Sequence, residues 1–111
     1  MNITVQSIKF NADSKLIEFI KKRSEKLNQF LDNIIEGVCY LRVENVDDEA
    51  NKVVELKFNI PGNQLFAKAQ AKSFEEATDV AIESIRRQIN KHKTKTRGNL
   101  SNHKELLNES E

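Results

Sequence analysis

The sequence has few of the residues from which catalytic and metal sites are commonly built. It contains one cysteine, Cys39, one proline, no tryptophan, and only two histidines, His92 and His103. Its three glycines are far apart, which excludes a glycine-rich phosphate loop, and no zinc-ligand or nucleophile pattern occurs. Carboxylate pairs brought together by folding are the one route to catalysis left open. We predict no enzyme activity, no catalytic residue, no metal, no cofactor and no small-molecule substrate.

Long hydrophobic runs are also absent. Hydrophobic residues make up 38% and charged residues 32% of the 111 residues, and no apolar run approaches the ~20 residues of a membrane span. The first ten residues alternate polar and apolar positions, unlike a signal peptide. A lone cysteine excludes an internal disulfide and favours a reducing compartment. These features predict one soluble cytoplasmic domain with a modest core and no membrane partner.

Charge is almost balanced overall but is segregated along the chain. Residues 86–97 contain six basic and no acidic residues, and residues 15–26 contain five basic and two acidic ones. The rest of the chain contains seven basic and fifteen acidic residues. Like charges four residues apart at 87, 91 and 95 and at 93 and 97 disfavour an isolated helix. Because one or two cations would satisfy the helix dipole, six favour a polyanionic partner.

The first half of the chain predicts a strand, a helix and a second strand. Ile3 and Val5 alternate with polar residues as in a half-buried strand. A cap at Asp13 or Ser14 begins a predicted helix over residues 14–32. Its apolar stripe is formed by Leu16, Ile17, Phe19, Ile20, Leu27, Phe30 and Leu31. A period of two from Ile34 places Cys39, Leu41 and Val43 on one face of the second strand.

The second half predicts a loop, a β-hairpin and a long helix. Residues 45–52 are acidic and lack apolar periodicity, so we expect a solvated loop. Pro61–Asn63 predicts a turn between two alternating runs, with inner positions at Val54, Leu56, Phe58 and Ile60 and at Leu65, Ala67, Ala69 and Ala71. Ser73 and Glu76 form a capping box for a helix over residues 74–95, which Gly98 ends.

The element order β-α-β-β-β-α predicts an α+β fold. Each helix has one apolar stripe and each strand one apolar face, so a four-stranded sheet with both helices on the same face buries all of them. Double-stranded-RNA-binding domains have such an arrangement. We expect this single domain to span residues 1–97 and to be followed by a polar, loosely ordered tail over residues 98–111.

Three groups of residues are open to more than one interpretation. His92 continues the apolar stripe of the second helix, which favours a half-buried ring over a ligand. Arg23 lies within the stripe of the first helix and either extends over the sheet edge or joins a basic patch with Lys22 and Lys26. The open sheet face mixes aromatic and basic residues, which favours cross-strand packing over a base-stacking platform: Tyr40, Arg42, Lys57, Phe66 and Lys68.

The chain resembles the ribosome hibernation promoting factors, also called ribosome-associated inhibitors or sigma-54 modulation proteins. The resemblance covers residues up to about 97 and is carried by NITVQSIKFNADSKLIEFIKKRSEKLNQF, YLRVENV and SFEEATDVAIESIRRQINKHKTK. The last segment is specific, because a capped helix leads into the run Arg87, Gln88, Lys91, His92 and Lys93. The family has the β-α-β-β-β-α fold. The absence of a second domain from this sequence resembles the short members of the family.

The resemblance implies a function and a set of RNA-binding residues. Family members bind ribosomal RNA in the decoding region of the small subunit, along the path of messenger and transfer RNA, and keep intact ribosomes inactive under stress or in stationary phase. Carried over, the RNA-binding residues are Lys22, Arg23, Lys26, Arg42, Arg86, Arg87, Lys91, His92, Lys93 and Lys95. The alternatives are a general module for double-stranded or structured RNA and a protein-interaction domain. With its apolar stripes used by its own sheet, we expect the free chain to be a monomer.

Overall fold

The fold is a four-stranded sheet with two helices on one face. The computed structural model describes residues 2–44 and 50–98, with side chains up to residue 93. The strands are β1 (Asn2–Ser7), β2 (Glu36–Val43), β3 (Lys52–Ile60) and β4 (Asn63–Ala71), and the helices are α1 (Ser14–Glu25) and α2 (Phe74–Gly98). The sheet order is β1-β2-β3-β4, with β1 parallel to β2 and the other neighbours antiparallel. The α+β fold predicted from periodicity is confirmed.

The first helix is shorter than predicted. Asp13, rather than Ser14, is the cap, because its side chain accepts a hydrogen bond of 2.8 Å from the amide of Leu16. The α-helix ends at Glu25 and tightens into a 3-10 turn over Lys26–Gln29, so the predicted end at residue 32 is wrong. In this last turn Phe30 donates its amide to the carbonyl of Leu27, three residues back. Such a tightened turn is a common way for a helix to satisfy its final carbonyls.

The second helix is longer than predicted and reaches Gly98. The amide of Glu76 donates to the hydroxyl of Ser73, and that hydroxyl contacts the Glu76 carboxylate at 3.2 Å, so the predicted capping pair is in place. Gly98, expected to begin the tail, is the last residue of the helix. Of the predicted loop over residues 45–52, residues 45–49 lie outside the described residues, as does the tail from residue 99. The predicted end of the loop at residue 52 is wrong by one residue, since Lys52 is the first residue of β3.

The core lies between the inner sheet face and the two helices. Leu16, Ile20 and Leu27 from the first helical segment face Ile85 and Ile89 of α2, and all are buried. The small side chains at Ala67 and Ala69 of β4 are buried beneath α2. Val43 departs from the prediction, since it lies at the end of β2 and is exposed.

Two buried hydroxyls in the helices were not anticipated. Ser24 and Thr78 are fully buried, and neither side-chain oxygen has a hydrogen-bond partner among the described residues. Ser24 lies four residues after Ile20, and Thr78 four residues after Phe74, so both belong to the inward stripes of their helices. Helical spacing places these positions inward even though the residue types are polar.

Candidate nucleic-acid interface

The two basic segments of the sequence meet at the C-terminal ends of the helices. Lys93 donates a hydrogen bond of 2.6 Å to the backbone carbonyl of Phe30, and the Arg86 guanidinium lies 5.8 Å from the centre of the Phe30 ring. Further back, Arg23 contacts Asp79 at 2.9 Å. Residue numbers rise together along the two helices, so α1 and α2 run in the same direction. The basic C-terminal half of α2 therefore lies beside Phe30, a few residues beyond the basic end of α1.

We call these residues the helical basic surface: Lys22, Arg23, Lys26, Arg86, Arg87 and Lys93. All of them are exposed or half-buried, and the Arg87 side chain is 70% exposed. Lys91 extends the surface around the other flank of α2, where it lines a cleft beside the start of β4. Two sequence segments that are separated by almost 60 residues thus lie next to each other on the helical face of the domain.

The arginines of this surface are held by carboxylates of α2. Arg23 pairs with Asp79 and lies over the Phe19 ring at 4.5 Å. Arg86 forms a two-point contact with Glu83, and the Nε of Arg87 lies 3.8 Å from the same carboxylate. The extended Arg23 side chain therefore reaches the neighbouring helix instead of the sheet edge, and it lies on the same surface as Lys22 and Lys26.

Glu83 and Arg86 shift each other's titration. The hydrogen bond from Arg86 lowers the pKa of Glu83 below its ordinary value, and the hydrogen bond to Glu83 raises the pKa of Arg86. Both shifts favour the charged form of the group. The pair holds the Arg86 guanidinium near the Phe30 ring.

The lysines of the surface are less constrained than its arginines. Lys22, Lys26 and Lys91 form no hydrogen bond or ion pair with any residue that the structure describes. Lys93 is different, because its ammonium group satisfies the Phe30 carbonyl at the end of the first helical segment. A lysine without an internal ion pair can bind an RNA phosphate without first breaking a contact with a carboxylate of the protein.

Arg42 lies apart from the other predicted RNA-binding residues. It is on the open sheet face, on the opposite side of the sheet from the helices, as its alternation in β2 predicts. Its guanidinium contacts Glu55 and also Glu44 at 3.6 Å. The hydrogen bond to Glu55 raises the pKa of Arg42. The structure thus brings together the helical residues and leaves Arg42 on a different surface.

The open sheet face pairs its polar groups internally. Lys57 lies 5.9 Å from the centre of the Tyr40 ring, and Asn59 donates to Glu36 and accepts from Gln64. Such cross-strand contacts are the ones that packing, rather than a base-stacking platform, predicts. Phe66 is the exception, because its ring remains 44% exposed.

The two remaining predicted residues lie near the end of α2. His92 is half-buried, as its place in the apolar stripe predicts, and it lines the same cleft as Lys91. The backbone of Lys95 belongs to α2, but the side chain of Lys95 is outside the described part of the structure. Over the described part of the chain, no helix is long and apolar enough to cross a membrane. Among the same residues, no group of histidine, cysteine and acidic side chains could hold a metal ion.

Comparisons of the sequence with known proteins agree with this architecture. The family model described as "Sigma 54 modulation protein / S30EA ribosomal protein" matches residues 3–97. The chain is similar to proteins named ribosome hibernation promoting factor from Klebsiella oxytoca, at 27% identity, and from Escherichia coli strain K12, at 28%. Each match extends over 95 residues, which is 86% of this chain and 94% of the relative.

Solved structures share the fold at low sequence identity. A ribosomal subunit interface protein from Coxiella burnetii has a TM-score of 0.75 at 18% identity, covering 84% of this chain and 98% of that one. The N-terminal domain of Thermus thermophilus Protein Y has a TM-score of 0.73 at 15% identity, covering 83% and 99%. At these identities the likeness supports the fold alone.

Proposed function

The chain belongs to the sigma 54 modulation protein / S30EA ribosomal protein family, and on that basis we propose that it is a ribosome hibernation factor. In this proposal it binds the small ribosomal subunit through ribosomal RNA of the decoding region, where messenger and transfer RNA pass. It holds intact ribosomes inactive during stress or stationary phase. Its place of action is the cytoplasm, where ribosomes are. The name shared by the relatives from Klebsiella and Escherichia motivates the hibernation role.

The meeting of the two basic helix ends at Phe30 is the observation that carries the RNA-binding part of the proposal. Lys93 and Arg86 of α2 both contact Phe30, which directly follows the 3-10 turn at the end of the first helical segment. Placing like charges side by side raises the electrostatic free energy of the free protein, and a polyanion relieves that repulsion. A surface selected only for solubility would not concentrate its cations in this way.

The proposed mechanism is occupancy without bond chemistry. Lysine and arginine side chains replace the counterions of RNA phosphates, and the release of those ions favours binding. The folded body then fills space that messenger and transfer RNA require. The cations of the helical basic surface contribute this affinity together with Lys91. Arg42, on the opposite side of the sheet and already paired with Glu55, contributes less.

The alternative function from the same residues is a general RNA-binding module. Two helices packed on one face of a sheet, with basic ends, also suit recognition of an A-form duplex by shape and phosphate spacing. A duplex binder has no preference for the ribosome. The two functions therefore differ in whether isolated double-stranded RNA binds as well as the small subunit does.

Co-sedimentation with purified ribosomal particles tests the proposal. We expect the chain to pellet with small subunits and intact ribosomes, to be excluded by bound transfer and messenger RNA, and to inhibit translation in a cell-free assay. A fully paired RNA duplex should be a poor competitor. Binding that the duplex removes completely, or that bound transfer RNA leaves unchanged, would instead support the general module.

A further inference from the structure

A small cleft lies beside the helical basic surface, between the start of β4 and the C-terminal half of α2. Its volume is about 220 Å³, and its walls are Asn63, Gln64, Leu65, Gln88, Lys91 and His92. This is below the ~300–1,000 Å³ of pockets for drug-sized molecules. A single planar group such as a nucleobase is the size of ligand that fits it.

One wall of the cleft is fixed by two hydrogen bonds. The Gln88 amide donates to the Phe66 carbonyl at 2.7 Å and accepts from the Phe66 amide at 3.2 Å. Gln88 is thereby occupied and holds α2 against the outer edge of β4. The cleft keeps its shape because its two sides, the strand and the helix, are joined at this point.

The other groups of the cleft are those that recognise a nucleotide. His92 lines the cleft with a half-buried aromatic side chain, and Lys91 offers an ammonium group that has no partner among the described residues. Gln64 lies two residues before Phe66, so its backbone polar groups share the free edge of β4. The backbone amide of Gln64 donates a hydrogen bond of 2.8 Å to the side-chain oxygen of Asn63. The backbone carbonyl of Gln64 is left as an acceptor for the amino group of a base.

We infer that this cleft binds one unpaired nucleotide of RNA, with the base against His92 and the phosphate at Lys91. Unstacked bases in single-stranded loops and bulges are commonly bound on aromatic side chains, whereas a base within a duplex does not reach such a site. The inference rests on the proposed function and extends it, because it gives the basic surface a preference for irregular RNA over a regular helix.

Two RNA hairpins test the inference: one fully paired, and one identical but with a single unpaired adenosine. Anisotropy titrations at one salt concentration should show tighter binding of the hairpin that contains the unpaired adenosine. His92→Ala should weaken that binding by about five- to a hundredfold, the range for loss of one base–aromatic stack, and should leave the paired hairpin unaffected. His92→Phe, which keeps an aromatic face, should retain the preference.

Lys91→Gln is the matched control on the same cleft. Because Lys91 contacts the phosphate of the nucleotide in the cleft, this variant should weaken binding of the hairpin with the unpaired adenosine and flatten its salt dependence, whereas His92→Ala should leave the salt dependence unchanged. Circular dichroism establishes that each variant is folded. Wild-type protein that binds both hairpins equally, or a His92→Ala variant that loses affinity for both alike, overturns the inference.

Failure of this inference is distinguishable from failure of the proposed function. Co-sedimentation with small subunits, combined with equal binding of the two hairpins, would reject the nucleotide cleft and leave the ribosome-binding proposal intact. Preference for the unpaired adenosine without co-sedimentation would support the nucleotide cleft and reject the ribosome-binding proposal. The two measurements use the same full-length chain.

Discussion

The side-chain amide of Gln88 forms two hydrogen bonds with the backbone of Phe66, one to its carbonyl at 2.7 Å and one from its amide at 3.2 Å. β4 is an edge strand, because only β3 pairs with it. The helix side chain thus takes the place of a neighbouring strand at this position. Exposed edges invite pairing with other chains. Gln88 therefore acts on the fold, although it lies within the basic run that resembles the hibernation factors.

We predict that Gln88→Ala destabilises the domain by about 1–3 kcal/mol, since two hydrogen bonds of about 0.5–1.5 kcal/mol each are lost. Urea denaturation measures this loss, and amide hydrogen exchange locates it. Exchange at Phe66 should accelerate in the variant, while exchange at Leu56 in the central strand should track only global stability. Gln88→Glu retains the acceptor but not the donor and should also be destabilised. An unchanged exchange rate at Phe66 would contradict the role assigned to Gln88.

The unpaired lysines should dominate the salt dependence of RNA binding. Replacing Lys22, Lys26 and Lys91 together by Gln should flatten the log–log dependence of affinity on salt by roughly two units, given ~0.7–0.9 per phosphate contact. The fold should be unaffected, because none of these side chains has an internal partner among the described residues. Filter binding or co-sedimentation at several salt concentrations gives the slope.

Arg42→Gln serves as the control for that experiment. This variant also removes one positive charge, but from the open sheet face, where Arg42 already forms ion pairs with Glu55 and Glu44. We expect little change in slope. A larger effect from Arg42→Gln than from any single lysine variant would place the RNA on the sheet face instead of on the helices.

Gly37 should not tolerate a side chain. It pairs with Phe58 across β2 and β3, and a Cβ at Gly37 would lie 2.6 Å from Cδ1 of Phe58 and 2.9 Å from Cδ1 of Ile3. Because the Phe58 ring is fully buried, it has no open space to move into, and overpacking of this kind costs about 1–3 kcal/mol. Thermal denaturation of Gly37→Ala measures the loss. Gly62→Ala is a useful comparison, since its cost would come from backbone strain at φ +77° in a position with open space.

Cys39 should be unreactive in the folded protein. Burial raises the pKa of its thiol from the ordinary value of 9.0 to about 12, and thiol reagents attack the thiolate. An Ellman assay should detect the thiol only when denaturant is present. Since the folded-state pKa is the higher one, the unfolded state loses its proton first, and stability should fall as the pH rises from about 9 towards 12. Cys39→Ala should remove this part of the pH dependence of stability. Rapid labelling of the thiol in the native protein would contradict the predicted lack of reactivity.

The free chain should be monomeric at micromolar concentration. Its exposed large hydrophobic residues among those described are spread over five separate elements or loops and form no single stripe: Ile8, Ile35, Val43, Phe66 and Val80. A stable dimer buries about 800 Å² per partner. Sedimentation equilibrium measures the mass, and a sucrose gradient of ribosomes with the chain alone should contain no peak of paired particles. Such a peak would identify a bridging surface on this domain.

The element order and the core were predictable because period-two and helical patterns report which face of a segment is buried. Cys39, Leu41, Phe58 and Ile85, for example, are buried as their spacing predicts. The end of α1 was not predictable in the same way. Apolar residues continue at helical spacing through Leu31, whereas the backbone tightens after Glu25 into a 3-10 turn, and periodicity does not distinguish the two kinds of turn.

The candidate site likewise has features that the sequence predicts and features that depend on the fold. The order of the amino acids is enough to show which residues are cationic, that the cations are concentrated in two segments, and that Arg42 faces away from the helices. The packing of the folded chain was needed to show that Lys93 of the second segment contacts Phe30, that Asp79 and Glu83 hold the arginines, and that Gln88 joins α2 to β4. The two kinds of information differ in their range along the chain. Periodicity is a property of neighbouring residues, whereas an ion pair between Arg23 and Asp79 depends on how two distant helices pack on one sheet.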